Sequence, residues 1–379
     1  MKKILNLLTL FLSLGITYGQ NCAPADIMLN SQADVMNFQA NYGPCSVVTG
    51  NLTIDEATDL TPLSGLTEVQ GILKLETIVN LPSLNGLNNI TSVGGLVIDD
   101  VDGFSNMAGL NSLTTLNGDF FLSGNDDLVN LIGLSGVSSI AGKFEVCCMG
   151  NFKSLIGLGP ITNIGGKLDI CCMSEFNDIS SLSNLTSIAG DLLICCMGNF
   201  PNVDGLSSLT SIGDDVEICC MGNFTDIDGL RSLTSIGGTL DICCMENFSS
   251  LSGFSGITHL NNYLRIHELD MLTDLDGLMN ITSVNGDVTI TRNDLLAECC
   301  AVFPLTTGNG ITGTLTMEDN DALGNCNNDG ADIVEACPAP IPTLSEWMIL
   351  VLALMMGIIG IVIIKYKSTV NTRLTIVYS

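Results

Sequence analysis

The sequence predicts a mainly β fold, a parallel β-solenoid in which the chain coils about ten times around one axis. The pair Cys-Cys recurs every 24 residues, starting at Cys147, Cys171, Cys195, Cys219 and Cys243. The residues before each pair alternate between apolar and polar, which is typical of a β-strand with one buried face. The same frame continues without cysteine at residues 96–98 and 288–290. Because one coil of this length cannot bury its own apolar face, the fixed period indicates a stacked array.

The composition excludes several classes of protein. The 379 residues include 12 Lys and Arg against 40 Asp and Glu, for a formal net charge of −28. A nucleic acid is not an expected partner, because binding it requires many basic side chains. With 46% hydrophobic residues, the chain has enough apolar surface to fold rather than stay disordered. Sixteen cysteines favour an oxidising compartment, and two histidines give little support to an enzyme.

Residues 1–19 have the pattern of a secretory signal peptide. Lys2 and Lys3 precede a short apolar run, and the segment ends at the small residue Gly19. Residues 20–50 follow as an expected N-terminal cap of the solenoid. Export is the consequence of this pattern, in agreement with the cysteine content.

The C-terminal segment is expected to anchor the protein in a membrane. Residues 347–364 carry no charged side chain and as a helix would be about 27 Å long, enough to span a bilayer. Lys365, Lys367 and Arg373 follow this segment. Positive charge on that side places residues 365–379 in the cytoplasm as a basic tail. The repeat body would then lie on the periplasmic or extracellular side.

A proline-rich linker at residues 338–346 precedes the apolar segment. A short sequence motif begins within this linker and ends at the first residue of the apolar segment. The motif consists of Pro342, Thr343, Leu344, Ser345, Glu346 and Trp347. With the apolar and basic residues after it, it resembles the IPTL-type C-terminal sorting tail of bacterial exported proteins. Met348 stands where that family usually has Gly, and the end of the chain is longer than usual, so processing of the tail stays open. The resemblance implies export to the cell surface.

The repeat body is expected to extend from residue 51 to residue 298. Strands are predicted at residues 168–170, 192–194 and 216–218, with one strand in each of the other coils. The pattern Leu-x-Ile followed by Gly-Leu-x-x-Leu-x-x-Ile-x-Gly resembles the receptor L-domain type of leucine-rich-like repeat. The resemblance implies a ligand-binding solenoid with a cap at each end, the second at residues 299–337. It implies no particular ligand, because such folds bind many.

The Cys-Cys pairs form two columns if the coils stack. In the coils on either side, the first column continues as Asp99, Ser123, His267 and Thr291, and the second continues as Asp100, Gly124, Glu268 and Arg292. Since both columns accept charged side chains, neither is expected to lie deep in the core. We therefore expect the cysteines to be present for the chemistry of sulfur.

Three interpretations of the two columns stay open. The first is oxidation, either as a ring within each Cys-Cys pair or as disulfides between coils, whose equivalent Cα atoms lie about 4.8 Å apart. Rings are favoured because they leave no cysteine over. The second is a ladder of reduced thiols, and the third is a soft-metal site for copper(I) at Cys219, Cys243 and His267. The disulfide candidates are Cys22, Cys45, Cys147, Cys148, Cys171, Cys172, Cys195, Cys196, Cys219, Cys220, Cys243, Cys244, Cys299, Cys300, Cys326 and Cys337.

The outward side of the predicted strands is rich in acidic residues. Asp215, Glu217 and Asp241 are candidates for a surface that binds a cation or a basic ligand, with a merely solvated face as the alternative. A catalytic pair of Cys243 and His267 would need a third group to orient it, and the sequence nominates none.

These patterns together predict a non-enzymatic, exported, membrane-tethered surface protein. Its repeat scaffold would bind or adhere to an extracellular ligand, which is a protein, a glycan or a cation. The alternative is a thiol-rich metal-binding or redox scaffold that uses the Cys-Cys-Met repeat. No cofactor is predicted, and the ligand and the oligomeric state stay open.

Overall fold

The computed structural model describes residues 20–22, 25–307, 310–327 and 337. The chain divides into two units, residues 1–334 and 335–379. The predicted signal peptide, the proline-rich linker with its sorting motif, the apolar segment and the basic tail lie outside the described residues. Within the described ranges, no helix is both long enough and apolar enough to cross a membrane.

The first unit is a solenoid built on one parallel sheet. Among the described residues this main sheet has fifteen strands, thirteen of which follow one another in a single path. The path consists of Ile27–Leu29, Leu52–Asp55, Glu68–Ile78, Ser92–Val101, Phe120–Ser123, Phe144–Cys147, Leu168–Cys171, Leu192–Cys195, Val216–Cys219, Leu240–Cys243, Leu264–His267, Val288–Thr291 and Leu315–Glu318. Val47–Val48 pairs with the third of these strands and Thr115–Leu116 with the fourth. The prediction of a mainly β, parallel ladder is confirmed.

The pairing register sets the length of each coil. Paired residues are 24 positions apart along the whole stretch from Leu96 to Val288. The spacing is shorter near the N-terminus, where Leu52 pairs with Leu73, and longer at the other end, where Val288 pairs with Leu315. The expectation of one coil length throughout is therefore wrong at the two ends, where coils meet a cap instead of an identical neighbour.

Two further sides complete each coil. One side has two-residue strands, and the other has single turns of 3₁₀ helix, because Ser, Asp, Asn and Gly in these segments favour turns. The short strands are Asn163–Ile164, Ser187–Ile188, Ser211–Ile212, Ser235–Ile236, His259–Leu260 and Ser283–Val284. The 3₁₀ helices are Thr61–Leu63, Ser180–Leu182, Asp204–Leu206, Asp228–Leu230, Ser252–Phe254, Asp276–Leu278 and Cys300–Val302. The α-helices of the described residues are Gln32–Met36, Phe38–Tyr42 and Phe303–Thr307, so the helical content is small, as predicted.

The core is a set of apolar columns that run the length of the solenoid. One column consists of phenylalanine rings stacked coil upon coil, with ring centroids 5.6–6.0 Å apart. Its members are Phe152, Phe176, Phe200, Phe224 and Phe248, all buried. Strand residues such as Leu168 and Ile170 are buried on the same axis. Each coil closes its neighbour's core, which explains why the period is kept so strictly in this region.

Disulfides close both caps, as the sequence predicts. Cys22 is bonded to Cys45 beside the two N-terminal helices. Cys299 is bonded to Cys326 next to the last strand of the path. Cys300 and Cys337 are also disulfide-bonded. The end coils would otherwise expose their cores, so covalent closure fits their position.

Candidate functional site

The outward face of the main sheet carries one central side chain per strand. We call the following residues the strand face: Lys74, Val97, Phe121, Glu145, Asp169, Leu193, Glu217, Asp241, Arg265, Thr289 and Thr316. Their neighbours on both sides along each strand point into the core, in keeping with the alternation of a β-strand. The face therefore changes in character along the solenoid, from apolar and basic at one end, through acidic in the middle, to polar at the other end.

A groove lies over the apolar end of the strand face. It has a volume of about 590 Å³, which is within the range of about 300–1,000 Å³ typical of ligand sites. Ile72, Val97 and Phe121 give it an apolar surface, and Lys143 and Glu145 stand at its side. The groove combines an aromatic ring with side chains of both signs of charge.

Glycines keep this groove open. Gly94, Gly95 and Gly118 line it. Gly95 stands where the next two coils have Asp119 and Lys143, whereas the position of Gly94 and Gly118 is also glycine in the coils that follow, at Gly142 and Gly166. A Cβ atom at Gly118 would clash with the carbonyl oxygen of Gly94, so no side chain can stand there unless the backbone moves. Sequence reasoning missed this site. The signal was the pair Phe120-Phe121, in which the second ring breaks the alternation of apolar and polar residues.

The acidic centre of the strand face is largely neutralised by its own partners. Lys167 Nζ lies 2.7 Å from Asp169 and 3.2 Å from Glu145, and Arg265 lies 3.1 Å from Asp241. Partial burial alone would lower the pKa of Lys167, but the hydrogen bonds and charges of Asp169 and Glu145 outweigh it and raise that pKa. Lys167 therefore stays cationic, which holds two coils together across the face.

Other aspartates at the start of the strands serve the backbone. Asp215 Oδ1 accepts a hydrogen bond of 2.6 Å from the amide of Thr239, and Asp191 Oδ1 accepts one of 3.0 Å from the amide of Asp215. Glu217 is exposed and receives a contact of 3.7 Å from the thiol of Cys219. Each residue of the candidate cation surface therefore already has a contact within the protein. Asp215 accepts from a backbone amide, Glu217 contacts a thiol, and Asp241 forms an ion pair.

The ten central cysteines form two parallel columns at the end of the strands. The inner column is Cys147, Cys171, Cys195, Cys219 and Cys243, and each member closes a strand and is paired in register with the next. The outer column is Cys148, Cys172, Cys196, Cys220 and Cys244. The inner column is half-buried to buried, and all but the last member of the outer column are exposed. The prediction that neither column lies deep in the core is confirmed for the outer column, whereas Cys219 and Cys243 are buried.

The outer column occupies a left-handed turn. Each of its members has φ between 56° and 60°, as do Asp100, Glu268, Arg292 and Asp319 within a few degrees in other coils. Gly124, with φ 66°, holds the equivalent place where the cysteines begin. Because this conformation is costly for residues with a Cβ atom, local backbone preference does not explain five successive cysteines.

The thiols of the inner column are hydrogen-bonded to one another. The hydrogen bond to Cys171, followed by burial, raises the pKa of Cys147 well above its ordinary value. For Cys171, Cys195 and Cys219, the hydrogen bond to the preceding thiol lowers the pKa. The hydrogen bond to the next thiol and burial raise the pKa by more, so that its net direction is upward. These groups are neutral thiols at physiological pH and are unsuited to nucleophilic catalysis, which requires the thiolate.

All ten central cysteines are free thiols in the structure. The favoured expectation of a disulfide ring within each pair is therefore not met. The inner thiol of each pair points out of the sheet toward its equivalents in the neighbouring coils, and the left-handed turn carries the outer one into solvent. Disulfide formation in these columns after export remains a prediction, and a thiol count tests it.

The columns end at a cluster of three metal-ligating side chains. Ligand atoms of Cys243, Cys244 and His267 all lie within 4.8 Å of one another. Of the residues proposed from the sequence, Cys243 and His267 are brought together as expected, and Cys244 takes the place expected for Cys219. Asp241 is the group that sequence reasoning missed, with Oδ1 lying 3.5 Å from His267 Nε2. Its position two residues before Cys243, one coil away from His267, was the available signal.

The comparison with known protein families identifies a motif in the C-terminal segment. The IPTL-CTERM motif is present at residues 339–362. No curated protein matches the sequence. Among solved structures, the chain is similar to an internalin from Listeria monocytogenes, with 18% sequence identity and a TM-score of 0.45, over 77% of this chain and 80% of the internalin.

Proposed function

We propose that the protein is an exported, non-enzymatic repeat scaffold that is displayed at the cell surface and binds an extracellular ligand in the groove over Phe121. The IPTL-CTERM sorting motif supports export, and the apolar segment at residues 347–364 would tether the chain.

The groove is the observation that carries this proposal. Elsewhere the strand face is filled by ion pairs and backbone caps, whereas here Val97 and Phe121 present apolar surface between the charged groups of Lys143 and Glu145. Apolar surface in a concave site with a few placed charges is the usual composition of a ligand pocket. A ligand with an apolar face and a polar edge, such as a sugar ring or a peptide side chain, suits this lining.

A cation is the weaker choice of ligand for the strand face. Asp169 and Asp241 already have basic partners, and Asp215 holds a backbone amide. Displacing these contacts would cost stability in the coils concerned. The groove needs no such displacement.

The experiment screens the full-length protein against arrays of glycans and peptides and compares two variants. Phe121→Thr removes the ring, and Thr289 and Thr316 show that the sheet accepts threonine at the equivalent position. Leu193→Thr removes an outward apolar side chain outside the groove and is the matched control. We expect a ligand whose affinity falls at least tenfold with Phe121→Thr and stays within about twofold with Leu193→Thr.

Equal losses for both variants, or no ligand in any class, would contradict binding at the groove. Surface display is tested separately by antibody labelling of intact cells, with a chain ending before residue 339 as the control. Retention of that shortened chain at the surface would contradict the role assigned to the tail.

A further inference from the structure

The two cysteine columns end differently at their two ends. At the N-terminal end, Cys147 and Cys148 follow Ser123 and Gly124 of the preceding coil. At the C-terminal end, Cys243 is paired in register with His267. An imidazole nitrogen therefore joins the thiols at this end of the columns, and with Cys243 and Cys244 it forms a compact set of donors within 4.8 Å.

One ring nitrogen of His267 is buried without a hydrogen bond. His267 Nε2 lies 3.5 Å from Asp241 Oδ1. His267 Nδ1 is buried and has no hydrogen-bond partner. Asp241 Oδ1 is itself buried without a hydrogen-bond partner, so the carboxylate lies near the ring without a hydrogen bond to it. A buried ring nitrogen without a hydrogen bond is costly unless something binds it.

We propose that Cys243 Sγ, Cys244 Sγ and His267 Nδ1 bind a copper(I) ion. Both thiols lose their protons to solvent when the metal binds, so two protons are released for each ion. Asp241 lies beside the ring, with Oδ1 3.5 Å from Nε2, and is not one of the proposed ligands.

The chemical type and the number of the three donor atoms favour copper(I). Thiolate sulfur and imidazole suit soft or borderline ions such as copper(I) and zinc. A structural zinc site takes four protein ligands, and a zinc site with three protein ligands needs a water or a substrate at the fourth position. The cluster in the described part of the chain contains three ligands, which complete the coordination of copper(I) without a further group.

Two ion pairs lie near the cluster. Arg265 lies 3.1 Å from Asp241, and Arg292 lies 3.0 Å from Glu268. Glu268 Oε2 is in turn 3.3 Å from Cys244 Sγ. Because each arginine is already paired with a carboxylate, the charge that offsets the new thiolates is that of the copper ion itself.

The test titrates copper(I) into the reduced full-length protein without oxygen, against a coloured copper(I) chelator of known affinity. His267→Thr copies Thr291, which occupies the same position one coil further on. His259→Ser copies Ser283 in the same way and is the matched control, since His259 lies on another side of the coil. We expect one tightly bound ion, an affinity at least tenfold lower in His267→Thr, and an unchanged affinity in His259→Ser.

A second pair of variants separates this site from the rest of the columns. Replacing Cys243 and Cys244 by serine should abolish tight binding, whereas Cys147→Ser with Cys148→Gly, which copies the preceding coil, should leave it within about twofold. X-ray absorption at the copper edge should show nitrogen as well as sulfur neighbours, and the nitrogen should be lost in His267→Thr. Equal binding by both histidine variants, equal losses from both ends of the columns, or preferred binding of zinc would overturn the proposal.

Discussion

The five cysteine-bearing coils and the coils on either side of them share one backbone path but stabilise its corner by different means. In some flanking coils, the residue after the left-handed turn is a buried asparagine, as at Asn125 and Asn293, and in others it is apolar, as at Val101 and Leu269. In the cysteine-bearing coils it is a buried methionine at each of Met149, Met173, Met197, Met221 and Met245. Hydrogen bonds therefore support this corner in some of the flanking coils, whereas packing supports it in all five central coils.

The asparagines satisfy backbone groups of the neighbouring coils. Asn293 Oδ1 accepts from the amide of Leu269 at 3.1 Å, and Asn293 Nδ2 donates to the carbonyl of Ile266 at 3.2 Å. Asn125 makes the equivalent pair of bonds with Val101 and Ile98. Asn125 stands between Val101 of the preceding coil and Met149 of the next. The comparison therefore shows that a single coil can carry a hydrogen-bonded amide at this corner while its neighbours are apolar.

The largest effect is expected where the central coils depend on packing. Phe200→Ala removes a ring that stacks on two others, at 5.6 Å and 6.0 Å, and should lower the free energy of unfolding by about 3–5 kcal/mol. Phe200→Leu copies Leu128 and Leu272 of the flanking coils and should cost about 1–2 kcal/mol. Urea denaturation measures both, and equal losses would contradict the stacked column as the main support of these coils.

The flanking coils should instead be sensitive to the loss of the amide. Asn293→Met grafts the central residue into a flank and leaves the amide of Leu269 and the carbonyl of Ile266 unsatisfied, at about 1–3 kcal/mol for each buried group. The reciprocal change, Met197→Asn, removes a buried thioether side chain and should itself cost about 1–3 kcal/mol, because the new amide offsets only part of the lost burial. A loss below about 1 kcal/mol for Asn293→Met in thermal denaturation would contradict the asparagine as a source of stability.

Much of the fold follows from the sequence because the repeat is strict. The strand positions were predictable from the alternation at residues 168–170 and its recurrence, since every coil imposes the same buried pattern on its neighbour. The changes in spacing at Leu52 and Leu315 were not, because an end coil packs against a cap that has no repeat. The cap disulfides were expected from composition and position, although the pairing required the structure.

The candidate sites were only partly predictable, for a physical reason. Cys243 and His267 share a column, so the period brings them together. Phe121 and the glycines of the groove belong to different coils and matter through their shape, which a pattern in one coil does not reveal. The left-handed conformation of the outer cysteines was also hidden, because residues that prefer this conformation, such as Gly124, are rare in the column.

Two of the outer thiols, Cys148 and Cys244, should react slowly in the folded protein. Burial, followed by the charge and hydrogen bond of Cys147, raises the pKa of Cys148 to about 11, and burial, opposed by Cys243 and reinforced by Glu268, raises that of Cys244 to about 11. At pH 8 we expect alkylation of Cys148 by iodoacetamide to be at least about tenfold slower than in the unfolded chain, because only the thiolate reacts. Mass spectrometry of the modified peptide measures this rate.

The pH dependence of these thiols has a definite sign. Their pKa is higher in the folded state than in the unfolded chain, so the folded state binds more protons and loses stability as the pH rises from about 9 to about 11. The alkylation rate should rise over the same interval. If all ten thiols are absent from the unreduced, denatured protein, the columns are oxidised and the free-thiol ladder is wrong.

The smallest effects should separate the two members of one Cys-Cys pair. Cys195 ends a strand, where a β-branched residue is favoured, so Cys195→Val should change the free energy of unfolding by less than about 0.5 kcal/mol. Cys196 has φ 56°, and Cys196→Val should cost about 1–2 kcal/mol because a branched side chain is strained there. Cys196→Gly should be nearly neutral, since relief of that strain offsets the greater freedom of glycine in the unfolded chain.

Among the described residues of the flanking coils, one branched residue, Thr77, adopts this conformation. Its hydroxyl donates a hydrogen bond of 2.9 Å to Asp55, and valine cannot do so. Equal effects of valine at the two adjacent positions would mean that the turn adapts to its side chain, and the five cysteines could then no longer be separated from backbone preference.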